Sequence, residues 1–429
     1  MAQRRCSVRW LNEAILAAQG EEALPFFYRY IGQLLRYQML GICAGSEERD
    51  PLATLIPISP AFQPQWVHIQ DGQSYRMSRF AYTRRNEINT TVMESPLAHG
   101  QLRLEHAITA KIIYQLGEAQ TAQTLAEMLP ETDPDDIASI MTLLLMGNFM
   151  SPSSDNEQAA EAEDETLMQW EFHDLLFHSR SRQGRHNNIV GGTYRFKQIL
   201  APQPAIKQPP WPITVKLPTP DMDQLQRQDP GLFEVMEARS SLRAYGSRDL
   251  TIEQIGEFLY RVARIKTHQE DEESGGFTTR PYPSAGASYE MEFYLTINGC
   301  QGLEPGFYWY DPLQHALALI QTIDKGNAYL LNHAQQITGA TNPHQLVITL
   351  AARFQRVSWK YQGIAYQLIL KDVGVLFATM YLVATAMKLA PCALGYGDSD
   401  HFAQLAGTNY LQETSVGEFA LGSQPDEMV

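Results

Sequence analysis

The sequence predicts an α+β protein in three parts: two small helix-and-strand domains over residues 1–97 and 98–200, a proline-rich linker over 201–220, and a larger domain over 221–429. Three observations predict this. The chain has 429 residues, more than one hydrophobic core ordinarily organises. Helix-period and strand-like segments alternate through the first two parts. Seven prolines then fall between Pro202 and Pro220; they remove helical options and mark an extended linker or wrapping arm.

The first part reads as a small α/β unit. FFYRYIGQLLRYQMLGICA, residues 26–44, places Phe27, Ile31, Leu34 and Leu35 at helical spacing. LATLIPIS and YRMSRFAY read as short strands, with a turn at Asp71-Gly72. Aromatic and basic residues alternate from Tyr75 to Arg85, which either face a ligand or form a half-buried antiparallel strand, and the edge-strand pattern at Tyr75 to Tyr82 could pair with an added peptide strand. At the N-terminus Asn12, Glu13 and Gln19 break the apolar run, so no signal-peptide core forms. Cysteines at 6, 43, 300 and 392 show no CxxC or zinc spacing and read as reduced thiols of a cytoplasmic protein.

In the second part, His106 to Leu116, Thr121 to Met128 and Asp135 to Met146 read as three short helices, the last started by Asp133-Pro134. Three helices followed by strand-like residues give a winged-helix shape. The third helix, DDIASIMTLLLM, lacks the Arg, Lys, Asn and Gln that read base edges, and a net charge of −15 opposes general phosphate binding. A protein or peptide partner fits better than nucleic acid. Asp155 to Glu165 carries six acidic and no basic residues and reads as a solvated loop. LLFHSRSRQGRHN, with three arginines, is either a solvated face or an anion-binding loop.

The third part holds the candidate chemistry. From Trp359 to Gly397 the chain is strongly apolar, without charge between Asp372 and Lys388, and reads as a helix buried on most sides, in the core or at a subunit interface. Its uncharged run is shorter than a bilayer crossing needs and contains Thr379 and Thr385. Lys360 and Tyr361 adjoin just before it; an ammonium beside a phenol lowers the phenol's pKa, burial lowers the lysine's, and either could serve as a base. In FEVMEARSSLRAYG, Arg239 and Arg243 share one face if the helix continues, and with Ser240 and Ser241 they suit a phosphate monoester. The rival is an intrahelical ion pair with Glu234 or Glu237. Pro283, Ser284, Ala285 and Gly286 are small enough for backbone to approach a flat ring, or simply form a loop before the strand MEFYLTI. Neither GxGxxG after a strand nor GxxxxGK[ST] occurs.

Arg-Ser-Ser-x-Arg, Pro-Ser-Ala-Gly-Ala, Lys-Tyr-x-x-x-x-Tyr, Asp-x-Gly and ALGSQP, in that order, resemble the SagB-type dehydrogenases of the flavin-dependent nitroreductase superfamily. LLFHSRSRQGR, GGTYRF and YRMSRFAY also match that group, and the two small leading domains make the chain similar to cyanobactin-type azoline oxidases. The resemblance implies a nitroreductase-like α+β domain with a mainly antiparallel sheet, preceded by two winged-helix-like peptide clamps. It implies an FMN enzyme that oxidises thiazolines or oxazolines in a ribosomally made peptide, with oxygen as final acceptor. Arg239, Ser240, Ser241 and Arg243 would hold the FMN phosphate and polar edge. Pro283, Ser284, Ala285 and Gly286, with Leu394, Gly395, Tyr396 and Gly397, would line the isoalloxazine. Lys360 and Tyr361 would be catalytic, with Tyr361 the nearer proton acceptor and the reverse assignment left open. A homodimer with FMN between subunits, an azoline-bearing precursor peptide and a cyclodehydratase are the implied partners. The alternatives are an NAD(P)H-dependent nitroreductase or flavin reductase and a non-catalytic peptide-binding scaffold.

Overall fold

A computed structural model describes residues 6–46, 48–86, 89–153 and 160–425, so the beginning of the acidic tract lies outside the described residues. They form two compact units, 1–189 and 190–429. In the first, Ile42–Ala44, Ala53–Pro57, Gly100–Leu104, Thr91–Glu94 and Tyr82–Arg85 make an antiparallel sheet in that order. Three helices follow, Ala107–Gln115, Ala122–Met128 and Pro134–Met146. Thr121 starts the second with a capping box, and Asp133 caps the third ahead of Pro134 at its first turn.

The two domains expected on either side of residue 97 share one core. Leu35, Leu55 and Met93 pack in the same cluster as Leu102, Ile112, Ile140 and Leu144, because the apolar faces of sheet and helices are each too small to be buried alone. The strand expected from Tyr75 to Tyr82 is two strands. Tyr75–Met77 pairs with Met150–Pro152 and also exchanges backbone bonds with Gln120, so it offers no free edge. The two edge strands of the sheet are Ile42–Ala44 and Tyr82–Arg85.

The acidic tract, expected to be solvated, and the basic stretch, expected to be a solvated face or an anion-binding loop, are both tied down in the same unit. In the acidic tract, buried Glu161 accepts the Arg79 N–H at 2.7 Å. In the basic loop, Arg180 donates to Ser95 O at 3.4 Å and Arg185 to Leu97 O at 3.3 Å. Those guanidiniums hold backbone carbonyls of their own unit.

The second unit is built on seven strands: β1 (Val215–Lys216), β2 (Met291–Ile297), β3 (Gly306–Asp311), β4 (Ala316–Thr322), β5 (Leu346–Arg353), β6 (Leu389–Ala393) and β7 (Glu413–Ser423). They lie in the order β6-β7-β5-β2-β3-β4-β1, every neighbour antiparallel. Every residue of β2, β3 and β5 is buried, so helices cover both faces. Alternation along β2 sorts them. Phe293 and Leu295 face α2 (Ile252–Ala263) and α4 (Ala365–Ala386), while Tyr294 faces α3 (Lys325–Thr338) and α5 (Ser399–Ala406). A short helix, α1 (Leu232–Ala238), packs on α4.

The long apolar helix is less buried than its composition predicts. At 22 residues, α4 is long and apolar enough to cross a bilayer by those two measures, but only Ile369, Asp372, Val373, Leu376, Met380 and Ala384 are buried. These form one stripe at helical spacing against the sheet; Leu370, Gly374 and Ala378 on the far side are exposed. The proline-rich stretch takes the wrapping-arm reading. Arg356 and Arg353 donate to Gln203 O and Pro204 O at 2.7 and 2.6 Å, Lys207 pairs with Glu413 at 2.6 Å, and β1 extends the sheet.

Candidate active site

Lys360 and Tyr361 stand in the turn between the helix Phe354–Ser358, which continues directly from β5, and α4. Adjacent residues inside a helix point about 100° apart. In this turn both side chains instead meet the same residue. Lys360 Nζ donates to Gly286 O at 2.8 Å. Gly286 has φ 57°, and a Cβ there would collide with the Tyr361 hydroxyl and stand 2.8 Å from Lys360 Nζ. Only glycine satisfies both that backbone and that contact.

GGTYRF lies alongside. Gly191 and Gln362 form an antiparallel bridge, and Tyr194 N–H donates to Lys360 O at 3.2 Å. Lys360 Nζ lies 6.0 Å from the centre of the Tyr194 ring. Burial, and then the Tyr194 and Asp372 side chains, push the Tyr361 phenol above its ordinary value. This reverses the effect expected from the adjoining lysine. Tyr361 therefore holds its proton at neutral pH.

Behind this surface lies an acidic pair. Asp372, buried in α4, accepts from Ser284 Oγ at 2.8 Å and from Ala285 N–H at 2.9 Å. Ser284 Oγ is also 3.2 Å from Glu290 Oε2 and accepts the Tyr289 N–H at 3.0 Å. Burial, and then the neighbouring Asp372 charge, push the Glu290 carboxyl up to about 8, so it is neutral at pH 7. Pro283 and Gly286 remain exposed on the outer side of the turn.

The two arginines are arranged differently from the helical expectation. Helix α1 ends at Ala238, and ψ 124° at Arg239 takes the chain out of the helix. Leu242 N–H then donates to Pro391 O at 2.9 Å. The chain leaves the helix at Arg239 and residues 239–246 form neither helix nor strand, so Arg239 and Arg243 share no helical face. Both are exposed, with Ser240 and Ser241, and among the described residues neither forms an ion pair with Glu234, Glu237 or any other acid. The Arg239 guanidinium lies 5.4 Å from the Tyr381 ring centre, Ser241 Oγ is 2.8 Å from Tyr381 Oη, and Tyr381 Oη accepts the Ala393 N–H at 2.8 Å. Arg243 adjoins Cys392, whose thiol burial pushes up against the pull of that cation.

Strand β6 delivers the turn expected to line a ring. Leu394 is buried, and its N–H donates to Glu418 O at 2.9 Å; Gly395 and Tyr396 are exposed. A Cβ on Gly397 would collide with the Glu418 carboxyl, which burial pushes up to about 7. The expected residues thus gather in two places on α4. Ser284, Ala285, Gly286, Lys360 and Tyr361 adjoin Asp372, whereas Arg239, Ser241 and the end of β6 adjoin Tyr381, nine residues or about 13 Å further along the axis. Exposed hydroxyls and unpaired guanidiniums suit a phosphate tail, and the glycine turns leave room for a flat ring. Asp372 and Tyr194 fall in the Asp-x-Gly and GGTYRF motifs, to which the sequence assigns no role, and Glu290 and Glu418 were not singled out; the available signal was one acid near the head of a largely apolar helix.

Residues 236–423 match the Nitroreductase family, and residues 75–187 match the family described as Cyanobactin oxidase ThcOx. The chain is 29% identical over 182 residues to the putative nitroreductase MJ1384 of Methanocaldococcus jannaschii, a match covering 42% of this chain and 84% of that protein. It is 29% identical over 131 residues to the microcin B17-processing protein McbC of Escherichia coli, covering 29% of this chain and 47% of that protein. A solved putative nitroreductase from Anabaena variabilis aligns with 96% of this chain and 91% of its own at 14% identity and a TM-score of 0.42.

Proposed function

We propose, since this chain belongs to the SagB-type dehydrogenases of the nitroreductase superfamily, that it uses FMN to oxidise thiazolines or oxazolines in a ribosomally made peptide to the aromatic azoles. The observation that carries this reading is the meeting of Lys360 and Tyr361 on Gly286, which sets a proton-handling pair against the turn assigned to the ring.

Aromatising an azoline removes a proton and a hydride. Bound FMN supplies the hydride acceptor, with oxygen as the final oxidant. The chain's own residues handle the rest. The proton on the ring carbon next to the peptide carbonyl is the more acidic. Tyr361 keeps its own proton at neutral pH, which favours the phenol as a hydrogen-bond donor to the azoline and assigns the proton-accepting role to Lys360. Arg239 and Arg243 neutralise the phosphate, while Ser240 and Ser241 complete its hydrogen bonds. Pro283 to Gly286 and Leu394 to Gly397 pack on the ring. The first unit is assigned to the peptide, which its edge strand Tyr82–Arg85 can pair with main chain to main chain. A cyclodehydratase, which forms the azolines, is the matching partner enzyme.

The functional form is a homodimer. Helix α1, which leads into the arginine run, exposes Leu232, Phe233 and Met236 at 71%, 81% and 57%, and the early part of α4 exposes Leu370 at 39%. FMN held between subunits takes contacts from both ends of α4 without requiring one chain to span them. Phe233→Glu combined with Leu370→Glu is expected to give a monomer that has lost most of its flavin, as read by light scattering and visible absorbance. A flavin-loaded monomer contradicts the assignment. The reading as a whole is tested by incubating the FMN-loaded protein with an azoline peptide in air. The expected product has lost two hydrogens per ring by mass spectrometry; an unchanged peptide mass opposes it.

A further inference from the structure

We infer that Asp372 and Glu290 are a positioning pair that fixes the 284–286 turn and thereby sets where Lys360 and Tyr361 stand; the inference rests on the reading of those two residues as the reacting pair. Asp372 is a buried carboxyl in a largely apolar helix, and among the described residues it forms no ion pair. Its carboxylate is held by two donors of one turn, the Ser284 hydroxyl and the Ala285 N–H. Ser284 Oγ has a single proton, so while it donates to Asp372 it cannot also satisfy an ionised Glu290. The next residue, Gly286, is the one that Lys360 donates to and Tyr361 rests against. A shift of the turn moves both reacting side chains.

Two buried carboxyls this close do not both ionise near neutrality. Glu290 faces Asp372 from α4, Ser284 from the turn, Arg356 from the helix Phe354–Ser358, and Tyr282 from its own loop, and Glu290 Oε1 has no hydrogen-bond partner. Its raised pKa means that the neutral form is bound more tightly in the folded chain than in the unfolded one. The stability it contributes is complete below the ordinary carboxylate range and is lost as pH rises through about 8. Above that value a second negative charge competes for the Ser284 proton and the turn loosens.

Backbone hydrogen exchange of the 284–288 segment in the full-length protein reads the turn directly, without azoline turnover. After correction for intrinsic rates, exchange in the native protein is expected to accelerate, and kcat to fall, as pH passes about 8. Glu290→Gln, which cannot ionise, is expected to remove both changes. Asp372→Asn is expected to speed exchange at pH 7 about tenfold or more and to lower kcat more than it raises KM. Ser284→Ala, which removes one of the two donors, gives the same test if Asp372→Asn fails to fold. Unchanged exchange in Asp372→Asn and Ser284→Ala, or an alkaline loss that persists in Glu290→Gln, overturns the inference. A turn that responds as described in a protein that leaves azolines untouched keeps the positioning role and removes the proposed reaction instead.

Discussion

Lys360→Ala is expected to lower azoline oxidation about 10²- to 10⁴-fold, the usual cost of losing a general base, with the fold and the FMN content retained. The side chain projects from a turn, and its recorded contact is to Gly286 O, so its removal empties no core position. Tyr361→Phe deletes only a hydroxyl. If the phenol donates a hydrogen bond rather than accepting the proton, the loss is smaller, about tenfold. The double variant falls no further than Lys360→Ala, because the two side chains act on one transition state. Initial rates at saturating peptide, with flavin counted by absorbance, decide this. Equal losses on the order of 10³-fold for both single variants would return Tyr361 to the role of base. Near-normal turnover in both would remove the pair from the chemistry, and loss of flavin with activity would make it structural.

Gly286→Val is expected to be at least as damaging, for a different reason. The substitution places a β-branched residue at φ 57°, a left-handed conformation that costs about 1–2 kcal/mol, and drives its Cβ into the Tyr361 hydroxyl. The turn must move, taking with it the carbonyl that receives Lys360. Activity should fall more than about a hundredfold, with a lower Tm, since roughly 1.4 kcal/mol of misplacement is already tenfold in rate. Gly231→Ala is the control: a Cβ there meets nothing within 4 Å and φ is −62°. If Gly286→Val turned over peptide like the native protein, the contact between the turn and the pair would have no bearing on catalysis.

Much of this was legible in the sequence, for identifiable reasons. Helix starts are written in local chemistry, so Thr121 and Asp133-Pro134 mark them correctly. MEFYLTI also reads as the strand it forms, β2, although burial on both of its faces makes its pattern continuous rather than alternating. What stayed hidden depended on distant partners. The helix through Phe233 looked able to continue past Arg239, but Leu242 is captured by Pro391, about 150 positions on, and the run leaves the helix. The acidic tract looked solvated until Arg79 reached Glu161. The apolar helix reads as buried on most sides, in the core or at a subunit interface, because composition cannot distinguish a face that meets the sheet from one left open within a single chain. At the site, the sequence set Lys360 and Tyr361 apart from Pro-Ser-Ala-Gly by more than 70 positions, and only the fold joins them through Gly286. The lowered phenol pKa inferred from an adjoining lysine failed because burial and Asp372 act in the opposite sense.

The most direct test of the central claim is anaerobic mixing of the FMN-loaded protein with an azoline-bearing peptide, followed by visible absorbance and peptide mass. The flavin band should bleach with one azole formed per flavin, and it should return when oxygen is admitted. NADPH alone should leave the band in place. Bleaching by NADPH together with indifference to the azoline peptide would contradict the account and assign the chain to small-molecule reduction.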